Sequence, residues 1–189
     1  MSKSAKGKII TFEVKDLYDY ILGDATQAYQ GLLKRFHRHI IHIRPDVFVI
    51  FDVLEAPKPV TFEWWLHALS EMNVDSKQKC ITISQGDARL KTLFLQSEKL
   101  DFNQFKGFPD PPEMRGENDQ WHVTASTSSK SATSKFITVL IPFKKDKEPE
   151  LAFNNLIETS NEVSLELSMN GKKYFISFKP VVSVRQLDF

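Results

Sequence analysis

The chain predicts an all-β fold: an antiparallel β-sandwich of jelly-roll-like or supersandwich type, with little helix. Three observations carry this. Short runs of β-branched and aromatic residues recur along the 189 residues, separated by turn-forming Gly, Pro, Asn and Asp. Two apolar runs, residues 40–43 and 47–51, flank Arg44-Pro45-Asp46; Pro presets φ at a turn corner and Asp tolerates the next one, so this reads as a buried hairpin. Residues 163–178, VSLELSMNGKKYFISF, alternate in parity on both sides of Asn170-Gly171, a pair that accepts the positive φ values of a type I′ turn.

In chain order, residues 1–7 form a disordered lead and residues 8–189 a single domain. Residues 8–14 are a first strand. Residues 24–31 form a short helix or a set of turns, opening on Gly23-Asp24 and closing on Gly31. After the hairpin, residues 60–69 are a strand entered through the rigid Ala56-Pro57-Lys58-Pro59. Residues 80–84 and 88–95 pair across Gln85-Gly86-Asp87. Residues 100–119 hold Gly107, Pro109, Pro111, Pro112 and Gly116 and read as one long surface loop. Residues 121–125 alternate, 126–134 are a polar loop, and 136–141 (FITVLI) are so uniformly apolar that both faces of that strand should be covered. The charge run at 144–150 is a solvated turn.

Composition narrows the function. Hydrophobic residues at 41% and charged residues at 26% suit a globular domain with a core of its own. A net charge of +1 creates no global field for nucleic acid or an anionic membrane. The expected partners therefore include neither. The start of the chain, MSKSAKGKII, has no apolar leader, and no apolar run reaches the ~18 residues a spanning helix needs. Cys80 is the single cysteine, so it forms no intrachain disulfide and reads as an inert strand residue. Phosphate-cradling glycine loops, G-x-S-x-G elbows, H-E-x-x-H helices and basic helices with interleaved aromatics are all missing. No cofactor is expected.

The histidines are the main polar interruptions. If Pro45-Asp46 is a two-residue loop, Ile43 faces Phe48, Ile41 faces Ile50, and His39 faces Asp52. A one-residue slip brings Arg38 opposite Asp52 instead. The pair His39 and Asp52 is expected to be structural; the rival readings are an acid/base pair or half a metal site. Metal is not expected, because only the distant His67 offers a third ligand. Trp64 and Trp65 adjoin in a strand, so one points inward and the other outward. Trp65, Tyr29 and Arg38 are the candidate carbohydrate-binding residues, with aromatic faces that pack on sugar rings. No catalytic residue is assigned.

GDATQAY (23–29), the R-x-I-x-x-I-R-P-D-x-F-V-I-F-D stretch (38–52), WWLHA (64–68) and FITVLIPF (136–143) preceded by Trp121-His122-Val123 resemble the heparinase II/III-type polysaccharide lyases. The likeness covers roughly residues 8–143 and falls after that family's catalytic centre. It implies an α/α toroid joined to a C-terminal antiparallel β-sandwich, bacterial origin, and a periplasmic or exported location. It also implies β-elimination of uronate polysaccharides, with Tyr and His as acid and base. The family's H-x-H-x-D, its later Asp with a nearby Tyr, and its H-N-T do not occur here. His37-Arg38-His39 has the first spacing, but Ile41 stands where the Asp belongs. The resemblance thus implies a non-catalytic C-terminal module, supporting a catalytic domain on the parent or another chain and contacting acidic polysaccharide. The alternatives are a free-standing carbohydrate-binding module, or a small active lyase with His39 or His42 as base and Tyr20 or Tyr29 as acid.

Overall fold

The two longest strands, β4 (Val47–Val60) and β11 (Ser131–Lys144), pair antiparallel at the centre of the molecule. The computed structural model describes residues 6–107, 120–159, 163–178 and 182–187. Beside β4 lie β3 (Arg35–Ile43), β2 (Tyr18–Asp24) and β1 (Lys8–Val14); beside β11 lie β8 (Ala88–Phe94), β7 (Cys80–Gln85) and β6 (Asn73–Asp75). Together they make an eight-stranded antiparallel sheet. A second sheet has the order β5-β10-β9, from Glu63–Ala68, Trp121–Thr127 and Leu100–Lys106. The third runs β12 (Leu151–Glu158), β13 (Val163–Met169), β14 (Lys172–Ser177), β15 (Ser183–Leu187). The helical part of the described chain is one 3-10 turn, Thr26–Tyr29. It falls inside the expected helix-or-turns segment at 24–31.

The large sheet is the shared middle layer of two sandwiches, so the expected all-β sandwich takes a three-layered form. Along β4, Val47, Val49 and Phe51 pack with Leu165, Leu167 and Ile176 of the four-stranded sheet. Leu54 and Ala56 project the other way and pack with Trp64, Val123 and Ala125 of the three-stranded sheet. β11 repeats this, with Ile137, Val139 and Ile141 on the first face and Phe136 on the second. Both parities are buried, which is why 136–141 carries no polar alternation. Beyond the end of β8 a side chain continues the ladder: Gln96 Oε1 accepts the Ile137 N–H at 3.2 Å.

The β3–β4 turn has three residues, not two. Ile43 pairs with Val47, and consequently Arg38 faces Asp52 while His39 faces Phe51. The expected His39–Asp52 pair does not form. Arg44 is drawn into the neighbouring turn. Its N–H donates to the Leu17 carbonyl at 3.1 Å, and its guanidinium reaches the Asp16 carbonyl and the Asp19 carboxylate. The first loop position is therefore spent on a contact that only the folded sheet supplies.

Three other boundaries differ from expectation. Residues 100–106 are strand, because Leu100 and Phe102 enter the second core and Gln104 bonds both the N–H and carbonyl of Met72 at 2.8 and 3.0 Å. The rest of that expected loop, 108–119, lies outside the described residues. The polar segment 126–134 is mostly strand: β10 runs through Thr127 and β11 starts at Ser131. Its hydroxyls take up backbone N–H groups, including a distant one where Thr127 Oγ1 accepts the Phe62 N–H at 3.1 Å. The prolines at 57 and 59 lie within β4. There the ladder to β11 jumps from Glu55 to Val60, so a missing N–H costs no ladder bond. The Asn170-Gly171 turn is as expected, with φ of 49° and 77° and Met169 paired to Lys172.

Phe51 and Phe136 are fully buried on opposite faces of the same sheet. Phe51→Ala and Phe136→Ala should each lower stability by about 3–5 kcal/mol, read as a shift in the urea midpoint. If only one did so, the second core would not be packed as described.

Candidate functional site

The three-stranded sheet covers only part of its side of the large sheet. Where it stops, a cleft of about 620 Å³ opens between β3, β4, β5 and the 3-10 turn. Its chemistry comes from Tyr29, Phe36, Arg38, Asp52, Trp64 and Trp65. Arg38 Nε and Nη2 donate to the two Asp52 oxygens, both at 2.7 Å. Such a fork is the strongest geometry for this pair. Asp52 is 1% exposed, so the pairing holds a charge that burial would otherwise suppress.

The electrostatics follow from that burial. Desolvation pushes the Asp52 carboxyl up from the ordinary carboxylate range; the Arg38 hydrogen bonds and charge, with Trp64, pull the other way. For Arg38, burial opposes the charge, but the bonds and charge of Asp52 outweigh it and raise its proton affinity. The guanidinium lies over the Phe36 ring at 5.5 Å. Nη1 is left out of the fork.

The aromatic walls divide as the strand pattern predicts. Trp64 turns inward, 7% exposed and edge-on to Phe94 at 5.3 Å. Trp65 turns outward at 42% exposure, its indole N–H donating to Glu63 Oε2 at 3.0 Å. Tyr29, also 42% exposed, meets Phe36 edge-on at 5.3 Å. The three nominated residues Trp65, Tyr29 and Arg38 thus share one cleft. Phe36 and Lys58, which complete it, were not singled out by the sequence; the three-residue turn would have placed Phe36 and Arg38 on the Asp52 face.

A smaller cleft of about 400 Å³ lies across Arg38, lined by Lys8, Ile9, Ile21 and Asp24 and sharing Phe36 and Arg38 with the first. The two form a groove from the β1 edge to Trp65. None of the five histidines lines it. His39 lies on the opposite face of the sheet. There the Tyr20 hydroxyl and His39 Nδ1 are hydrogen-bonded at 2.9 Å, and the imidazole packs on Phe51 and Phe178. Tyr20 is buried, and desolvation, aided by the Glu13 charge, raises its phenol pKa. His42 stacks on Phe48 at 4.4 Å, with Asp19 3.5 Å from Nδ1. His67 and His122 meet edge-on at 4.6 Å beside Trp65; burial and then the His67 charge lower the His122 pKa. Among the described residues, no group of three or more His, Cys, Asp or Glu is placed to hold a metal. The groove offers ring faces and hydrogen-bond donors for binding.

No family model and no curated protein matches the sequence. Solved structures do. The heparan sulfate lyase HepC from Pedobacter heparinus superposes with a TM-score of 0.70 at 17% identity, covering 91% of this chain and 28% of that one. Two heparinase III structures superpose at 0.73 and 0.68, with 15% and 19% identity, over 93% and 90% of this chain and 28% and 27% of theirs. The fold is a heparinase-like β fold. The chain spans little more than a quarter of the length of these neighbours.

Removing Arg38 strands a buried carboxylate. Arg38→Ala should cost about 3 kcal/mol at neutral pH, and Arg38→Met with Asp52→Leu should recover most of it. An unpartnered, buried Asp52 binds its proton more tightly folded than unfolded. Its protonation therefore favours the folded state, and the deficit of Arg38→Ala should shrink as pH falls through that raised range. Urea titrations at stepped pH check this; a deficit that grows with acidity would contradict the assignment.

Proposed function

We propose that this chain acts as a non-catalytic β-sandwich module of a heparinase II/III-like polysaccharide lyase, bracing a catalytic domain and contacting acidic glycan through the Arg38 groove. The observation that carries the proposal is the heparinase-like fold over nine-tenths of this chain, set against little more than a quarter of the neighbours' length. The bracing role draws support from β1. It forms an edge of the large sheet and exposes Ile9, Ile10, Phe12 and Val14 at 70%, 46%, 63% and 63%. Apolar side chains on a free strand edge favour a protein neighbour over water.

The glycan role draws support from the groove itself. A linear polymer needs an open trough rather than a closed pocket, and this one offers Tyr29 and Trp65 as exposed rings. Lys8, Arg38 and Lys58 supply donors for carboxylate or sulfate. The second reading, a free-standing carbohydrate-binding module, would use the same groove. Against an active lyase stands the placement of the Tyr20–His39 pair, beneath the four-stranded sheet and away from the groove.

The isolated chain should produce no unsaturated sugar from heparan sulfate, alginate or related uronates, followed by ultraviolet absorbance. Clear turnover would end the non-catalytic reading. Binding of an acidic oligosaccharide should shift the Trp65 indole resonance. Trp65→Ala should weaken this binding about tenfold, equivalent to roughly 1.4 kcal/mol; unchanged affinity would remove the groove from the account.

A further inference from the structure

A second cleft of about 620 Å³ lies at the other end of β3 and β4, between the large sheet and the four-stranded sheet. Its floor is apolar, from Ile141, Phe143, Met169 and Tyr174. Its rim is cationic: Arg89, Lys144, Lys147 and Lys172 line it, against Asp46 as the one acidic group among the lining residues. None of these four cations forms an ion pair among the described residues, whereas Arg38, Arg44 and Lys91 are each held by a carboxylate. Nearby Glu148 is taken up by Lys91 outside this cleft. In a chain whose net charge is +1, four unneutralised cations around one concavity are a local concentration that focuses its field outward.

The walls are also held in place. The connector 145–150 is tied to the large sheet by the Lys145 N–H, which donates to the Asp87 carbonyl at 2.8 Å. At its other end Glu150 N–H donates to Asn170 Oδ1, and Asn170 N–H to the Glu150 carbonyl, both at 3.2 Å. The Arg89 guanidinium is anchored to the adjoining turn, Nη1 donating to the Gly86 and Ala88 carbonyls at 2.7 and 2.8 Å. The rim charges therefore stand on strand ends and on a connector cross-linked to two sheets, an arrangement that reduces the ordering cost of binding.

We infer that this cleft is a second binding site, for anionic substituents carried on a sugar ring. The cationic rim selects sulfate or carboxylate. The apolar floor suits the hydrophobic face of a ring, which a bare inorganic anion lacks. The volume falls within the ~300–1,000 Å³ of small-ligand clefts. The choice of a saccharide rests on the proposed function; the preference for anions rests on the cleft alone.

The test is amide and indole NMR on the whole chain at low salt. The probes are a sulfated uronate hexasaccharide, a neutral hexasaccharide and inorganic sulfate. The sulfated sugar should shift amides around 142–149 and 169–174. The neutral sugar should not, and inorganic sulfate should do so only at concentrations at least about tenfold higher. Lys147→Glu with Lys172→Glu should weaken these shifts at least about tenfold while leaving the Trp65 indole response intact. Trp65→Ala should do the reverse, so failure at one cleft is distinguishable from failure at the other. A charge-matched control, Lys77→Glu with Lys130→Glu, lies outside both clefts and should change neither. Equal loss in that control, equal response to the neutral sugar, or equal affinity for inorganic sulfate would overturn the assignment.

Discussion

Burial of the β4–β11 pair on both faces is the constraint from which the other features follow. A sheet covered on one side can send its polar residues to water; where both faces of this one are covered it cannot, so a charge buried there must be answered inside the protein. Asp52 is the test case, placed opposite Phe136 on β11 and opposite Arg38 on β3. The carboxylate is tolerable because a guanidinium from the adjacent strand reaches it with two bonds. That pairing in turn fixes a cation at the margin of the three-stranded sheet, where the groove begins. The binding surface thus originates in a requirement of the core.

The two clefts differ in the state of their charges. In the Arg38 groove the guanidinium is already paired, and Glu63 and Asp24 share the walls with Lys58 and Lys8. Recognition there depends on ring faces and the remaining donor directions. At the turn end, the cations of the second cleft have no carboxylate partner among the described residues. Their attraction to an anion is not offset in advance and will be strongly screened by salt. A polyanionic chain would meet shape and stacking at one site and charge at the other.

The Tyr20–His39 contact illustrates why residue types alone do not assign chemistry. A phenol hydrogen-bonded to an imidazole is a pairing capable of proton exchange. Here it lies under a second sheet, and burial raises the phenol pKa rather than lowering it. The same observation explains the histidine cluster of β3. His37 and His39 alternate with Arg38 across the sheet, and each of His37, His39 and His42 is engaged by a neighbour on β2 or β4. Alternation sends His37 and His39 to one face and Arg38 to the other, while His42, on the Arg38 face, is stacked on Phe48 at the turn end, so no shared site arises.

The sequence by itself determined the class of fold and most of the strands. The signals were local: parity around Asn170-Gly171, the turn at Gly86-Asp87, and the unbroken apolar run of β11 that required cover on both sides. It also determined that Trp64 and Trp65 face opposite ways, since that follows from strand geometry. Tertiary structure decided the register of β3 against β4, because the extra loop residue is stabilised by Arg44 reaching across to the β1–β2 turn. That one step exchanged His39 for Arg38 opposite Asp52. The strands at 100–106 and 131–134 were likewise decided by their neighbours, since polar segments become strand where an adjoining ladder and buried hydroxyl bonds compensate their weak propensity. The basic cleft was beyond any local reading: its cations come from three separate stretches of chain that only the meeting of two sheets brings together.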